Sequence, residues 1–253
     1  MLDPREEAAV AAQFGVARTQ VRRDHLISHL LAALEPLADD LLFFGGTALS
    51  RTILTDGRLS EDIDLMTSRH RDHVAEAVEH RLVQGVRREF PGLRWQPPLR
   101  AVPNAQPAVL IAPDGLTVRI QLVGSGGYPP WPTLRRSLLQ RYADAPPVAL
   151  TVPTPASFAA WKTTAWNDRR VSRDLYDLWS LAGIGAINAE AACLFARYGP
   201  TGKPPTPHMF DQPPSEQTWH RDLSGQTRLT ITAAHALTVV RDTWAAVTDD
   251  PAS

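Results

Sequence analysis

The segment from Leu41 to Thr67, LLFFGGTALSRTILTDGRLSEDIDLMT, constrains the fold more than any other part of the sequence. Its first four residues are bulky and apolar, which predicts a short buried strand. Gly45 and Gly46 then permit a tight turn and a close approach of other groups to the backbone. Thr47 is a candidate N-cap for a helix over Ala48 to Leu54. The segment therefore predicts a strand, a glycine turn and a helix in succession.

The same segment ends in an alternating strand that carries Asp62 and Asp64. Side chains two apart on a strand point to the same face, so the two carboxylates project together. Two like charges side by side need a cation between them, and carboxylate oxygens are ligands that Mg²⁺ prefers. The N–H groups after Gly45 and Gly46, at a helix start, form a site for phosphate. This combination indicates metal-assisted phosphoryl or nucleotidyl transfer.

Each half of this pattern is common when it occurs alone. A glycine pair before a helix usually binds no phosphate, and an isolated Asp-Ile-Asp is usually a solvated edge strand. The order of the elements is more specific: apolar strand, Gly-Gly-Thr turn, helix and Asp-x-Asp strand resemble the nucleotidyltransferase superfamily. More narrowly, GGTALSR followed by SEDIDL resembles the AbiEii/AbiGii toxin family, the nucleotidyltransferase half of type IV toxin–antitoxin pairs.

Composition sets the outer bounds. A chain of 253 residues is long enough for one domain with a second lobe, and a formal net charge of −1 gives no overall attraction to nucleic acid. The single cysteine, Cys193, excludes an internal disulfide, and its apolar neighbours predict a small core residue. The first residues lack the apolar core of a signal peptide, and no apolar run reaches the ~20 residues that span a bilayer. We therefore expect a cytoplasmic protein without membrane contact.

The periodicity of the chain predicts an α+β (α/β) fold with a mixed β-sheet core flanked by helices, and the resemblance implies that this core is of the nucleotidyltransferase type. Residues 1–150 form this core together with the N-terminal helices, and residues 151–253 form a mainly helical C-terminal lobe. The resemblance implies that this lobe closes the active-site cleft. The main predicted elements are helices over Glu6–Leu37 and His70–Arg88 and strands over Leu93–Trp95, Ala108–Ile111 and Leu116–Val123.

Gln121 departs from the usual pattern of the superfamily. It lies on a predicted strand where nucleotidyltransferases often place a third carboxylate. An amide oxygen coordinates weakly and cannot offset the charge of Mg²⁺. Either another residue supplies the missing charge, or the nucleotide holds much of the second metal ion.

A loop rich in glycine and proline carries Tyr128 and Trp131, and Arg135, Arg136 and Arg141 follow on a predicted short helix. Aromatic rings stack on bases and arginines neutralise phosphates, so these residues are candidate RNA contacts. The alternative is a proline-rich connection followed by a solvated helix.

A second charged motif, Lys162, Arg169, Arg173, Asp174 and Asp177, spans two predicted helices. It resembles the distal motif of the AbiEii family, a lysine helix followed by R-D-x-x-D-L, and the five residues match its charged positions. Lysine suits a triphosphate as a point charge, whereas arginine binds phosphate bidentately. The two aspartates share a helix face and could supply the missing carboxylate or orient the lysine. The alternative is an interhelical salt-bridge network.

The resemblance implies an enzyme that transfers a nucleoside monophosphate from an NTP to an acceptor and releases pyrophosphate. Asp62 and Asp64 would hold Mg²⁺, with two ions present during catalysis. The implied catalytic residues are Asp62, Asp64, Lys162, Asp174 and Asp177. The implied nucleotide contacts are Gly45, Gly46, Thr47, Arg51, Lys162, Arg169 and Arg173.

The resemblance also implies partners, namely the 3′ end of tRNA or another RNA as acceptor and a cognate antitoxin encoded alongside. Two other interpretations remain open. The chain could be a nucleotidyltransferase that modifies a protein or a small molecule, such as an antibiotic. It could also be a catalytically weakened module that binds a nucleotide or an antitoxin, which the glutamine at position 121 would explain.

Overall fold

The computed structural model describes residues 1–104 and 106–249. The helices, numbered in chain order, are α1 Pro4–Phe14, α2 Arg18–Ala33, α3 Gly45–Thr52, α4 Arg71–Gln84, α5 Pro155–Arg169, α6 Ser172–Gly183, α7 Ala189–Tyr198, α8 Glu216–Leu223 and α9 Ala233–Asp249. The strands are β1 Leu42–Phe44, β2 Asp62–Thr67, β3 Arg94–Trp95, β4 Ala108–Ile111, β5 Thr117–Gly124, β6 Thr133–Ser137 and β7 Ala149–Pro153.

The chain divides into two compact units. Unit 1 comprises Met1–Tyr128 and Leu134–Val152, and unit 2 comprises Pro129–Thr133 and the chain from Pro153 onward.

Unit 1 is built on a mixed sheet with the strand order β3-β4-β5-β2-β1-β7-β6. β2 pairs antiparallel with β1 and parallel with β5, so it lies at the middle of the sheet. Its apolar residues Ile63 and Leu65 are fully buried, as are Ile120 and Leu122 on β5. Helices α2 and α4 pack against β5. This arrangement confirms the predicted mixed α/β core.

The prediction of one continuous N-terminal helix over Glu6–Leu37 is wrong. Helix α1 ends at Gly15, which adopts a left-handed conformation with φ of 66°. Glycine has no Cβ and accepts this conformation without strain, so it is a common helix terminus. The chain is then extended at Ala17 before α2 begins. The apolar periodicity alone did not reveal this break.

Unit 2 is helical, with α6 packed against α5, α8 and α9. Three tryptophans, Trp166, Trp219 and Trp244, are completely buried in it. Burial of such large side chains supplies much of the apolar area that stabilises a small helical unit. Cys193 is exposed, so the prediction that it is a core residue is wrong. Within the described residues, no helix is long and apolar enough to cross a membrane.

Candidate active site

Asp62 and Asp64 lie on β2 as the alternation predicts. Both are half-buried, and the side chains of Ile63 and Leu65 between and after them are in the core. Because β2 is a central strand, the two carboxylates are held by a rigid element rather than by a loop. The register of the sheet places Asp64 beside Phe44 on β1 and beside Gln121 on β5. The amide at the third-carboxylate position is therefore a direct neighbour of Asp64 in the sheet.

Gly45 is required by the position of Asp64. Its φ is +78°, and a Cβ at this position would collide with the carboxylate of Asp64. Helix α3 begins at Gly45 itself, and its first turn has no side-chain cap. The first N–H groups of a helix have no intrahelical partner, and the helix dipole adds a partial positive charge there. Asp64 thus lies against a helix start that favours negative charge.

Gly46 makes room for a different side chain. A Cβ there would lie 2.5 Å from Nη2 of Arg58 and 3.0 Å from Oγ of Ser60. The Arg58 residue is buried, with 4% of its surface exposed. Arg58 was not among the residues predicted from the sequence. One indication of its role was present in the sequence, namely its position in the loop that joins α3 to the Asp-x-Asp strand β2.

Thr47 does not cap the helix, so the N-cap prediction is wrong. The helix starts two residues earlier, at Gly45, and ends at Thr52 rather than Leu54. The Thr47 hydroxyl is buried and donates a hydrogen bond to the backbone carbonyl of Asp62. Its side chain therefore fastens α3 to β2, which fixes the distance between the helix start and the carboxylates.

Arg119 on β5 binds Asp62 through two parallel hydrogen bonds. Its Nε donates to Oδ1 at 2.8 Å and its Nη2 donates to Oδ2 at 2.9 Å. Hydrogen bonding to Asp62 and the charge of Asp62 raise the pKa of Arg119. The arginine side chain is 51% exposed and the aspartate side chain 25% exposed. Arg119 was not predicted as a site residue, although it alternates with buried Val118 and Ile120 and so had to face the same side of the sheet as Gln121.

Arg51 lies in the interior of unit 1, fully buried. Its Nη2 donates to Oδ1 of Asp24 at 2.7 Å, and its Nη1 donates to the carbonyl of Leu139 at 3.0 Å. A fully buried guanidinium that is paired with a buried carboxylate is part of the core of the unit. We therefore leave Arg51 out of the proposed nucleotide contacts.

The candidate RNA contacts separate into buried and exposed residues. Trp131 is 6% exposed and packs against Trp161 and Tyr198 in unit 2. The side chain of Arg141 is 5% exposed, and its Nη2 donates to the carbonyls of Ser50 and Thr55.

Tyr128, Arg135 and Arg136 are exposed. The predicted short helix at Arg135 and Arg136 is wrong, because these residues lie on β6 at the edge of the sheet. An edge strand alternates its side chains, so the two arginines cannot share one face.

In unit 2, the distal motif forms a compact ion network. Lys162 on α5 places its Nζ 3.0 Å from Oδ1 of Asp174 and 2.7 Å from Oδ2 of Asp177, both on α6. Arg169 also binds Asp174, with its Nε 2.7 Å from Oδ2 and its Nη2 3.0 Å from Oδ1. Arg173 is half-buried on α6.

Burial sets the electrostatic state of this network. Asp174 is completely buried and Asp177 nearly so. Burial would raise the pKa of Asp174, but the charge of Lys162 and the hydrogen bond from Arg169 outweigh it and lower the pKa to about 2. Asp174 therefore stays ionised between its two cations. The predicted grouping of these charged residues is thus observed for Lys162, Arg169, Asp174 and Asp177.

A mixed sheet with a glycine turn, a short helix and an Asp-x-Asp strand defines the nucleotidyltransferase class of fold. Residues 29–246 match the model of the nucleotidyl transferase AbiEii toxin family of type IV toxin–antitoxin systems. The chain belongs to this family. No curated protein sequence matches the chain significantly.

Among the solved structures that match the chain, two share the fold over more than nine-tenths of its length. MenT4, a nucleotidyltransferase toxin from Mycobacterium tuberculosis H37Rv, superposes with a TM-score of 0.70 at 22% identity, over 97% of this chain and 90% of MenT4. A putative nucleotidyltransferase from H. pylori gives a TM-score of 0.53 at 16% identity, over 92% of this chain and 96% of the other. At these identities the likeness establishes the architecture only.

Proposed function

We propose that this protein is a magnesium-dependent nucleotidyltransferase toxin that transfers a nucleoside monophosphate from an NTP to the 3′ end of tRNA. The observation that carries the proposal is the placement of Asp64. Its carboxylate lies against Gly45 at the start of α3 and shares the central strand with Asp62. A carboxylate pair next to the first N–H groups of a helix is the arrangement that a metal-bound triphosphate needs.

The donor set fits Mg²⁺. Asp62, Asp64 and the amide of Gln121 offer oxygen atoms on neighbouring positions of β2 and β5, and all three are half-buried. Magnesium prefers oxygen ligands and is usually held by one or two carboxylates, with water and phosphate completing the shell. Asp62 and Asp64 would hold the ion, and the neutral Gln121 leaves more of its charge for the phosphates. When bound, Mg²⁺ would polarise the α-phosphate and lower the pKa of the attacking hydroxyl.

Arg119 supplies the positive charge at Asp62 in this structure. Both oxygens of Asp62 accept hydrogen bonds from its guanidinium. Because Arg119 is half exposed, it can leave Asp62 without disturbing the core of unit 1. The released guanidinium would remain beside the carboxylates and could bind a phosphate group bidentately.

The backbone of Gly45, Gly46 and Thr47 would hold phosphate oxygens through the first N–H groups of α3. Side chains pack closely against this turn, with Asp64 in the space over Gly45 and Arg58 in the space over Gly46. A rigid phosphate site lowers the cost of orienting the nucleotide for attack. The remaining partner is an antitoxin, which membership of a type IV toxin–antitoxin family implies.

The acceptor is tested by incubating the protein with total cellular RNA, Mg²⁺ and each α-³²P-labelled NTP in turn. We expect label in bands of tRNA size, abolished when the 3′ terminal nucleotides are oxidised by periodate, since the attacking hydroxyl is then destroyed. Label on protein or small molecules alone would contradict the tRNA proposal and favour a modifying nucleotidyltransferase. No label on any acceptor would favour the weakened binding module.

The exposed arginines of β6 permit a separate test of RNA binding through its dependence on salt concentration. Because Arg135 and Arg136 face opposite sides of the strand, only one of them can neutralise a phosphate of a given RNA strand. Replacing both by glutamine should therefore reduce the slope of log K against log salt concentration for RNA binding by ~0.7. The matched control is the double variant Arg87→Gln/Arg88→Gln, which removes two other exposed arginines of unit 1. Equal slopes for the two double variants would exclude β6 as an RNA-binding surface.

Lys162 has two possible roles. The family motif predicts that it binds the nucleotide, whereas its buried ion pairs indicate that it stabilises the packing of α5 and α6. The single variant Lys162→Met takes the ammonium away from both Asp174 and Asp177, so both stability and transfer should fall. The double variant Lys162→Met/Asp177→Asn also removes the charge of Asp177, while Arg169 still pairs with Asp174, and should recover part of the melting temperature. If Lys162 binds the nucleotide, transfer by this folded double variant should stay at least ~10-fold below that of Asp177→Asn, because removing a charged hydrogen bond costs ~1.5–3 kcal/mol. Equal transfer by the two variants would assign Lys162 to the structure.

A further inference from the structure

Two histidines and one aspartate of unit 1 meet at a position unrelated to the Asp-x-Asp strand. His25 and His29 lie one turn apart on α2, on the same helix face, and only 4% of each is exposed. Asp144, on the segment between β6 and β7, reaches both of them. The ligand atoms of these three side chains all lie within 4.8 Å of one another.

The three contacting atoms form a nearly regular triangle. Nε2 of His25 is 3.2 Å from Nε2 of His29 and 2.9 Å from Oδ1 of Asp144. Nε2 of His29 is 3.5 Å from the same Oδ1. Tetrahedral zinc has bonds of about 2.0–2.2 Å to nitrogen and oxygen, which separates neighbouring ligand atoms by roughly 3.3–3.6 Å. The longest side of the triangle matches this separation and the other two are slightly shorter, so a small outward movement of the side chains would admit a zinc ion.

Nε2 of His25 lies 2.9 Å from Oδ1 of Asp144, which is short enough for a hydrogen bond. Nε2 of His29 is 3.5 Å from the same oxygen, at the long limit for one. With both Nε2 atoms deprotonated, a single metal ion would accept all three lone pairs together.

A further contact orients the carboxylate of Asp144, whose Oδ1 lies near both imidazoles. The Met1 amino group binds the other oxygen, Oδ2, at 2.7 Å and leaves Oδ1 directed at the imidazoles.

The walls of the site leave one side open. The ring of Phe90 packs against both imidazoles, and the ring of Tyr142 packs edge-on against His25. The Asp144 side chain is 25% exposed, so solvent reaches the site from that side. A water molecule could occupy a fourth position there.

We propose that His25, His29 and Asp144 bind one zinc ion, which fastens α2 to the segment between β6 and β7. Two imidazoles and one carboxylate are ligands that zinc and the other late first-row divalent metals prefer, whereas magnesium prefers oxygen alone. The ion would stabilise the folded chain and takes no part in nucleotide transfer. The proposal does not depend on the proposed function.

The test uses the full-length protein freed of metal with a chelator, titrated with zinc and, separately, with magnesium. We expect one zinc ion per chain by calorimetry. Zinc at about 100-fold above its Kd should raise the melting temperature by roughly 5 °C or more, since a ligand that binds only the folded state stabilises it by mass action. Magnesium should produce no such shift. The variants His29→Gln and Asp144→Asn should bind zinc at least ~10-fold more weakly, as losses of even indirect metal partners do.

The control His80→Gln removes an exposed histidine on α4 and should bind zinc as the wild type does. Because His29 is buried and Asp144 is half-buried, the two site variants could fold poorly, so a second measurement is made on the wild-type chain. Cobalt bound at the site should show the visible absorption of four-coordinate Co²⁺, and an equal amount of zinc should abolish it. Absence of stoichiometric zinc binding by the wild type, or an equal loss in His29→Gln and His80→Gln, would overturn the proposal.

Discussion

Replacing Asp64 by asparagine is expected to abolish nucleotide transfer and to leave the fold intact. The change keeps the shape of a side chain that lies against Gly45, but it removes the charge with which β2 would hold a metal ion. We expect at least a ~100-fold loss of transfer, because even groups that only orient metal ligands cost 10- to 100-fold when they are removed. The measurement is incorporation of α-³²P-NTP into acceptor at saturating Mg²⁺, together with circular dichroism and a melting curve.

Asp72→Asn is the matched control, since it removes a 65% exposed carboxylate on α4. It should transfer nucleotide at the wild-type rate. A second comparison uses Gly45→Ala, which keeps both carboxylates but pushes a methyl group into the position of the Asp64 carboxylate. If Asp64 acts through its position, Gly45→Ala should also lose transfer. If folded Asp64→Asn transfers nucleotide at the wild-type rate, the assignment of a metal site to β2 is wrong.

The sequence was sufficient to predict the centre of the candidate site because its signals are local. The apolar run before Gly45 and the alternation around Ile63 determine which side chains are buried, and burial then determines where Asp62 and Asp64 project. The glycine pair indicated a close approach at the backbone. What it could not indicate was the identity of the approaching groups, Asp64 and Arg58, because their positions depend on how β2 and the preceding loop fold over α3.

Arginines were the least predictable residues. The resemblance implied that Arg51 binds the triphosphate, and Arg141 was a candidate RNA contact; both roles need an accessible guanidinium, which is the usual state of arginine. In the structure both are buried, because Asp24 on α2 offers a carboxylate that lies 27 residues from Arg51 in the chain. Arg119 is the opposite case, a site residue that the sequence did not indicate. It lies on a strand of ordinary composition, and only the parallel register of β2 and β5 places it opposite Asp62. Such partners are defined by tertiary structure and leave no periodic signal.

Asp24 is shared by both buried guanidinium groups. Its Oδ1 accepts a hydrogen bond from Arg51 at 2.7 Å, and its Oδ2 accepts one from the Tyr142 hydroxyl at 3.0 Å. Nη1 of Arg141 lies 3.8 Å from the same Oδ2. Burial, and then the charge of Arg51, lower the pKa of Arg141 to about 10. The two cations therefore repel each other, and Asp24 offsets that repulsion.

Asp24→Asn should consequently be among the most destabilising single changes in unit 1. It preserves the size of the side chain but leaves two buried guanidinium groups without their shared anion, and breaking a buried ion pair in this way costs about 3–5 kcal/mol. At roughly 2–4 °C per kcal/mol for a chain of this size, the melting temperature should fall by about 6–20 °C.

Arg141→Met should cost less, because it removes one of two repelling cations and leaves the pair of Asp24 and Arg51 intact. The control Asp39→Asn breaks an ion pair with Arg135 in which the aspartate side chain is fully exposed, and exposed pairs contribute little to stability. If the melting temperature of Asp24→Asn is no lower than that of Asp39→Asn, the buried guanidinium groups do not depend on Asp24.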